Sequence, residues 1–158
     1  MKNDLVGIIT CDPDNRKHSE ALTSLLNEYI LDKMGGGEPY NEEQKKRLIQ
    51  GLKTHPSKLI YLAESGSQYI GLALCFVNFA TFTVKPFINI HDIIVTSDWR
   101  NKGVGRRLLG HIMKIAEEMD CSKVTLEVRE DNLNAQALYK SLGFNDAKPR
   151  QFYWSKIL

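Results

Sequence analysis

The residues best suited to chemistry stand together between Ile93 and Arg106: Ile93-Ile94-Val95-Thr96-Ser97-Asp98-Trp99-Arg100-Asn101-Lys102-Gly103-Val104-Gly105-Arg106. An apolar, β-branched run enters a turn that carries two glycines, and a helical pattern follows. At the start of a helix the first backbone N–H groups lack intrahelical partners, and the macrodipole adds positive potential, so the turn is suited to an anion. Gly103 and Gly105 allow close approach because no Cβ intrudes. Arg100, Lys102 and Arg106 add fixed positive charge, and a diphosphate is the natural ligand. A surface turn with two glycines and some arginines has the same composition. The segment is not a P-loop, since no Gly-Lys-Ser or Gly-Lys-Thr follows. A dinucleotide fingerprint would need glycine at 108, where the chain has Leu108.

A second ordered group of residues lies downstream: Leu126-Glu127-Val128, then Asn132, Ala135, Leu138-Tyr139 and Gly143-Phe144. Together with Arg100-x-x-Gly103-x-Gly105, this block resembles the two linked motifs of the GNAT superfamily of N-acetyltransferases. Their patterns are R/Q-x-x-G-x-G/A and L-x-V-x-x-x-N-x-x-A-x-x-L-Y-x-x-x-G-F. The two blocks follow in the family's order, separated by one helix and one strand. Phe76-x-x-Phe79-x-Thr81-Phe82 and Ile90-x-Asp92-x-x-Val95 are similar to the polyamine and thialysine branch, which keeps glutamate where this chain has His91.

The resemblance implies acetyl transfer from acetyl-CoA to a primary amine. It places the cosubstrate's diphosphate on Arg100, Asn101, Lys102, Gly103, Val104, Gly105 and Arg106. It lays the pantetheine arm along the backbone of Ile93, Ile94 and Val95 like an added strand, where an N–H at Ile94 or Val95 polarises the thioester carbonyl. Asn132 and Asn134 cap the short helix they begin and, in the family, meet the pantetheine. Tyr139 occupies the position of the general acid that protonates the leaving thiolate. Without the motif, it reads as a core tyrosine on a short helix.

The attacking amine must be neutral. A lysine-like amine with a pKa of ~10.4 is neutral in only roughly one molecule in two thousand at pH 7, so a base, a water chain or a desolvating pocket must help. Period-2 alternation places Asn89 and His91 on one strand face and Asp92 on the other, unless a bulge intervenes. The family's active face corresponds to the His91 side. A histidine, with its ordinary pKa of ~6.5, is suited to act as a base near neutrality. Two readings stand side by side: His91 is the base, or His91 shapes the pocket and water carries the proton. Asp92 is read as structural. His18, His55 and His111 receive no role, and Trp99 and Trp154 are read as packing residues.

These residues need a scaffold, and the patterning supplies one. Strands are expected at Leu5–Thr10, Lys58–Glu64, Gln68–Ala80, Phe87–Thr96, Lys123–Val128 and Gln151–Ile157. Helices are expected at His18–Met34, at Asn41–Lys53, from Lys102 or Gly103 through Met119, and at Asn132–Leu142. Gly35-Gly36-Gly37-Glu38-Pro39 reads as a flexible loop. The order is β-α-α-β-β-β-α-β-α-β. It predicts a mixed α/β fold: a mostly antiparallel sheet, helices on both faces and one parallel pair made by the crossover after Gly103. The resemblance implies that this central parallel pair is splayed.

The 158 residues are read as one domain. Lys plus Arg less Asp plus Glu is 21 − 19, or +2, which gives no general attraction to nucleic acid or to acidic membranes. No apolar run reaches the ~20 residues of a membrane span, and the N-terminus lacks a signal-peptide pattern. Cys11, Cys75 and Cys121 are widely spaced and odd in number, which predicts a reduced, cytoplasmic protein without disulfide or zinc. Phe144 and the terminal Phe152-Tyr153-Trp154 put aromatic surface near a sheet edge, so a homodimer is the expected assembly. The acceptor is expected to be a small-molecule amine. A protein or peptide acceptor, or a non-catalytic acyl-CoA-binding module, are the alternatives on the same fold.

Overall fold

The computed structural model describes residues 5–158, and they divide into two compact units that meet at Glu127 and Val128. The first unit holds β1 (Val6–Thr10), α1 (Arg16–Leu31), α2 (Glu42–Thr54), β2 (Lys58–Ser65), β3 (Gln68–Ala80), β4 (Lys85–Val95), a single 3-10 turn at Ser97–Trp99, α3 (Val104–Glu118) and β5 (Val124–Leu126). The second holds α4 (Leu133–Ser141) and the C-terminal segment.

The sheet order is β1-β2-β3-β4-β5. The first three pairings are antiparallel, and β4 with β5 is parallel. The 3-10 turn and α3 connect β4 to β5, which is the expected crossover. The parallel pairing is short: Ile88 with Val124, Asn89 with Thr125 and Ile90 with Leu126. Beyond Ile90, β4 continues to Val95 with no strand on that side among the described residues. This is the expected splay.

Helices cover both faces. Leu22, Leu25 and Leu26 of α1 and Leu52 of α2 form one core with Ile60, Leu62, Leu72, Leu74 and Ile94 of the sheet. Alternation turns Tyr61, Ala63 and Gly71 to the other face, toward α3. There, the ring of Tyr61 meets His111 at 4.5 Å. A Cβ built on Gly71 would stand 3.2 Å from Leu108 Cδ1 and 3.0 Å from the Ile94 carbonyl oxygen, so glycine lets α3 close on the strand. Both helices of the first layer are capped at their starts: Asn15 accepts from Lys17 and His18 N–H, and Asn41 and Gln44 form a capping box.

Three expectations are corrected. Gln151–Ile157 forms no strand; from Asn145 onward the chain is irregular and every residue is exposed. Trp154 accordingly packs on nothing and is 86% exposed, whereas Trp99 is half-buried with Lys102 Nζ 5.3 Å above its ring. The glycine loop is not slack: Gly35 and Gly36 N–H bond the Asp32 carbonyl and Gly37 N–H bonds that of Ile30, folding the loop onto the end of α1. No helix among the described residues is long and apolar enough to cross a membrane.

Candidate active site

The strand that leads into the glycine turn carries a register shift. On β3, Leu74 pairs with Asp92 and Cys75 pairs with Ile90, so His91 is an extra residue on β4. The bulge sits immediately after Ile90, the last residue held by β5. It kinks the strand where its outer edge becomes free, and it corrects the expected facing. Paired residues share a face, so Asn89 faces with Phe76 and Asp92 faces with Leu74. Leu74 and Phe76, two apart, face the same way. Asn89 and Asp92 therefore lie on one side rather than opposite sides. The His91 ring also lies against Phe76, at 5.7 Å.

This face collects residues that the sequence reading left apart. Phe76 is flanked by His91 and by His55 from the end of α2, the latter at 4.5 Å. Asp92 has no hydrogen-bond donor among the described residues. Burial raises its pKa, and the nearby His91 acts in the opposite sense. The Asp92 charge is felt by Tyr40, whose pKa is raised first by burial and then by Asp92. Cys75, on the other side of the sheet, is pushed up to about 12 by burial and then by Asp92. Burial, with Asp12 adding to it, also pushes Cys11 up to about 12, so neither thiol is a nucleophile at neutral pH.

The free edge of β4 can be read group by group. Thr96 N–H donates to the Ile70 carbonyl on β3 at 3.0 Å. Alternation then turns the backbone groups of Ile94 toward β3 and those of Ile93 and Val95 outward. The Val95 carbonyl accepts from Arg100 Nε at 3.0 Å. The Ile93 N–H and carbonyl and the Val95 N–H thus present an edge that an extended amide-bearing chain can join. A shallow groove of about 350 Å³ lined by Gln68, Tyr69, Ile70, Thr96, Asp98 and Trp99 lies on the opposite, β3 side.

The turn after β4 has the geometry that its glycines predict. Asn101 and Gly103 take left-handed conformations, φ +60° and +82°. Gly103 is the N-cap of α3 and supplies no side chain to the first-turn N–H groups, so those of Val104, Gly105 and Arg106 are not capped from within the turn. Nothing lies within 4 Å of a Cβ built on Gly103, so its requirement is the backbone angle. Val104 is buried and anchors the turn, while Arg100, Asn101, Lys102 and Arg106 are exposed around it. A diphosphate fits this cradle of bare N–H groups and cations. The Arg100 guanidinium is held by Asp32 as well as by Val95.

In the second unit, Asn132 caps α4 by accepting from Ala135 N–H at 3.2 Å, and Asn134 is exposed on the first turn. Tyr139 is buried, with its ring 6.0 Å from that of Phe144.

Comparison with known proteins gives a consistent result. The family model described as the acetyltransferase (GNAT) family matches residues 19–144. The [ribosomal protein bS18]-alanine N-acetyltransferase of Salmonella typhimurium is 33% identical over 103 residues, 62% of this chain and 70% of that relative. The thialysine N-epsilon-acetyltransferase of Sus scrofa is 32% identical over 81 residues, 51% of this chain and 47% of that one. A crystal structure of a probable acetyltransferase superposes with a TM-score of 0.81 at 24% identity, covering 98% of both chains.

Proposed function

The chain belongs to the GNAT acetyltransferase family, and from that premise we propose that it transfers an acetyl group from acetyl-CoA to the primary amine of a small molecule. The observation that carries this reading is the free edge of β4 from His91 to Val95, opened by a bulge and leading directly into a cationic glycine turn. Acetyl-CoA, when bound, supplies an activated acyl carbon and a thiolate leaving group.

The chain's own residues divide the remaining work. First-turn N–H groups of α3, with Lys102 and Arg106, hold the diphosphate. Ile93 and Val95 hold the pantetheine amides, and the Val95 N–H points outward to polarise the thioester carbonyl. Asp92, half-buried and without a bonded donor among the described residues, attracts an ammonium group and orients it on the Phe76 face. His91, beside it, removes the proton from that nitrogen. Tyr139 gives a proton to the departing sulfur, a role that rests on its motif position. Retention of this tyrosine speaks against a non-catalytic acyl-CoA-binding module.

A peptide acceptor is the second reading. It is favoured by the similarity to an enzyme named for a ribosomal protein's alanine. The experiment is thiol release from acetyl-CoA against a panel of diamines, amino acids, aminoglycosides and peptides with a free N-terminal alanine. Turnover confined to the peptides replaces the small-molecule reading. Absence of turnover with every amine, despite CoA binding, overturns the enzymatic one.

A further inference from the structure

The last turn of α1 is built against its own local interest. A helix C-terminus carries partial negative charge and favours cations, yet α1 has no basic residue there and ends in Glu28 and the C-cap Asp32. Both acids are committed across the fold to the short segment that launches α3. Glu28 Oε1 accepts the Ser97 backbone N–H at 3.0 Å. Asp32 Oδ2 accepts from Arg100 Nη1 at 2.9 Å, and Arg100 Nε reaches the Val95 carbonyl at 3.0 Å. The two acids thus grip both ends of the Ser97–Arg100 segment.

Asp32 also holds the chain that leaves α1. Its other oxygen, Oδ1, accepts the Met34 N–H at 2.9 Å. The far end of that loop is fixed as well, by Tyr40 N–H on Asn27 Oδ1 at 2.8 Å, and there Tyr40 senses the charge of Asp92. One carboxylate therefore joins the loop beside the acceptor face to the turn beside the diphosphate cradle. Its side chain is only 18% exposed, so the pair with Arg100 is not a fully solvated surface bridge.

We propose that Asp32 is a positioning residue that links the cofactor turn, through Arg100, to the 33–40 loop on the acceptor side, so that filling the turn orders the loop. This rests on the CoA-binding reading above. It assigns Arg100 to holding the end of β4 rather than to the diphosphate.

The test uses coenzyme A alone, so it needs no acceptor. Binding is measured by calorimetry, and backbone hydrogen exchange is followed in peptides spanning 33–40. In the wild type, saturating coenzyme A slows exchange in that loop by about threefold or more. Asp32→Asn keeps an oxygen for Met34 but loses the charged partner of Arg100. It weakens coenzyme A binding by about 3–10-fold, the size of one ordinary hydrogen bond's net contribution, and abolishes the protection of the loop. Asp32→Glu restores part of both. All three are compared well below their melting temperatures, where a purely structural role moves neither readout. Failure of the wild type to bind coenzyme A refutes the underlying reading. Wild-type binding that leaves the loop unprotected, or Asp32→Asn with equal or tighter binding, overturns the inference alone. Should Asp32→Asn fail to fold, Arg100→Gln, which cuts the same link from the other side, must show the same two losses.

Discussion

Asp92 carries a cost in stability that its proposed role in binding an ammonium group would explain. Burial favours its protonated form, so its folded-state pKa lies above the unfolded one, with His91 opposing the shift. The stability linked to this group is fully present below the unfolded value, near ~3.9, and is lost as pH rises through the folded value. At neutral pH the ionised carboxylate is a net cost to the fold. Asp92→Asn is therefore expected to raise the urea midpoint at pH 7, with the gain shrinking toward pH 4, while turnover falls. A variant less stable than wild type at pH 7 would mean that the carboxylate has a favourable partner in the fold. Tyr139 has the opposite profile. Tyr139→Phe keeps a buried ring beside Phe144 and removes one hydroxyl. Loss of a general acid costs 10²–10⁴ in rate, or ~3–5 kcal/mol of barrier. The loss is expected in kcat, with coenzyme A affinity nearly unchanged. Turnover within about threefold of wild type refutes the acid role.

Elements succeed or fail in the sequence according to whether their signal is local. The apolar spacing of Leu22, Leu25 and Leu26, and of Leu108, Leu109 and Ile112, is a property of one helix and gives α1 and α3 to within a few residues. The glycine turn is equally local, since Gly103 must supply a left-handed angle wherever its strand and helix go. The bulge at His91 is a relation between two strands, and alternation along β4 alone set Asp92 on the wrong face. The C-terminal Phe152-Tyr153-Trp154 run has strand-forming residues, but composition without a pairing partner is not a strand. Glu28 and Asp32 left a trace that was legible in principle: two acids where the helix dipole opposes them. The glycine loop gives the sharpest test at this scale. A Cβ at Gly35 would be driven into the Tyr29 carbonyl oxygen and the backbone of Ile30. Those are main-chain atoms of α1 and cannot swing aside, so Gly35→Ala is expected to destabilise by about 1–3 kcal/mol. Gly36→Ala meets no atom within 4 Å but must take φ +72°, which costs about 1–2 kcal/mol. Chemical denaturation separates them from a slack loop, in which both changes would be neutral.

Exposed aromatic side chains cluster at the β3–β4 tip, with Phe79 and Phe82, and in the C-terminal segment, with Phe152, Tyr153 and Trp154 beside Ile157. We propose that the C-terminal set is covered by a second copy of the chain. Light scattering at micromolar concentration should give about twice 18.0 kDa, and removal of residues 150–158 should halve it. A monomeric mass for the intact chain removes the proposal. The proposed coenzyme binding also acts on the molecule as a whole, because a ligand that binds only the folded state stabilises every part of it at once. Acetyl-CoA at a hundred times its Kd should add ~2.7 kcal/mol to unfolding. Gly105 lies in the first turn of α3, half-buried, where the uncapped N–H groups converge. Gly105→Glu places a side chain and a negative charge in that cradle, and the repulsion acts on the diphosphate whatever the acyl group or acceptor. The ligand-induced rise in melting temperature should vanish in this variant. Stabilisation of Gly105→Glu equal to that of wild type would move the diphosphate away from the glycine turn and leave the cofactor assignment without its anchor.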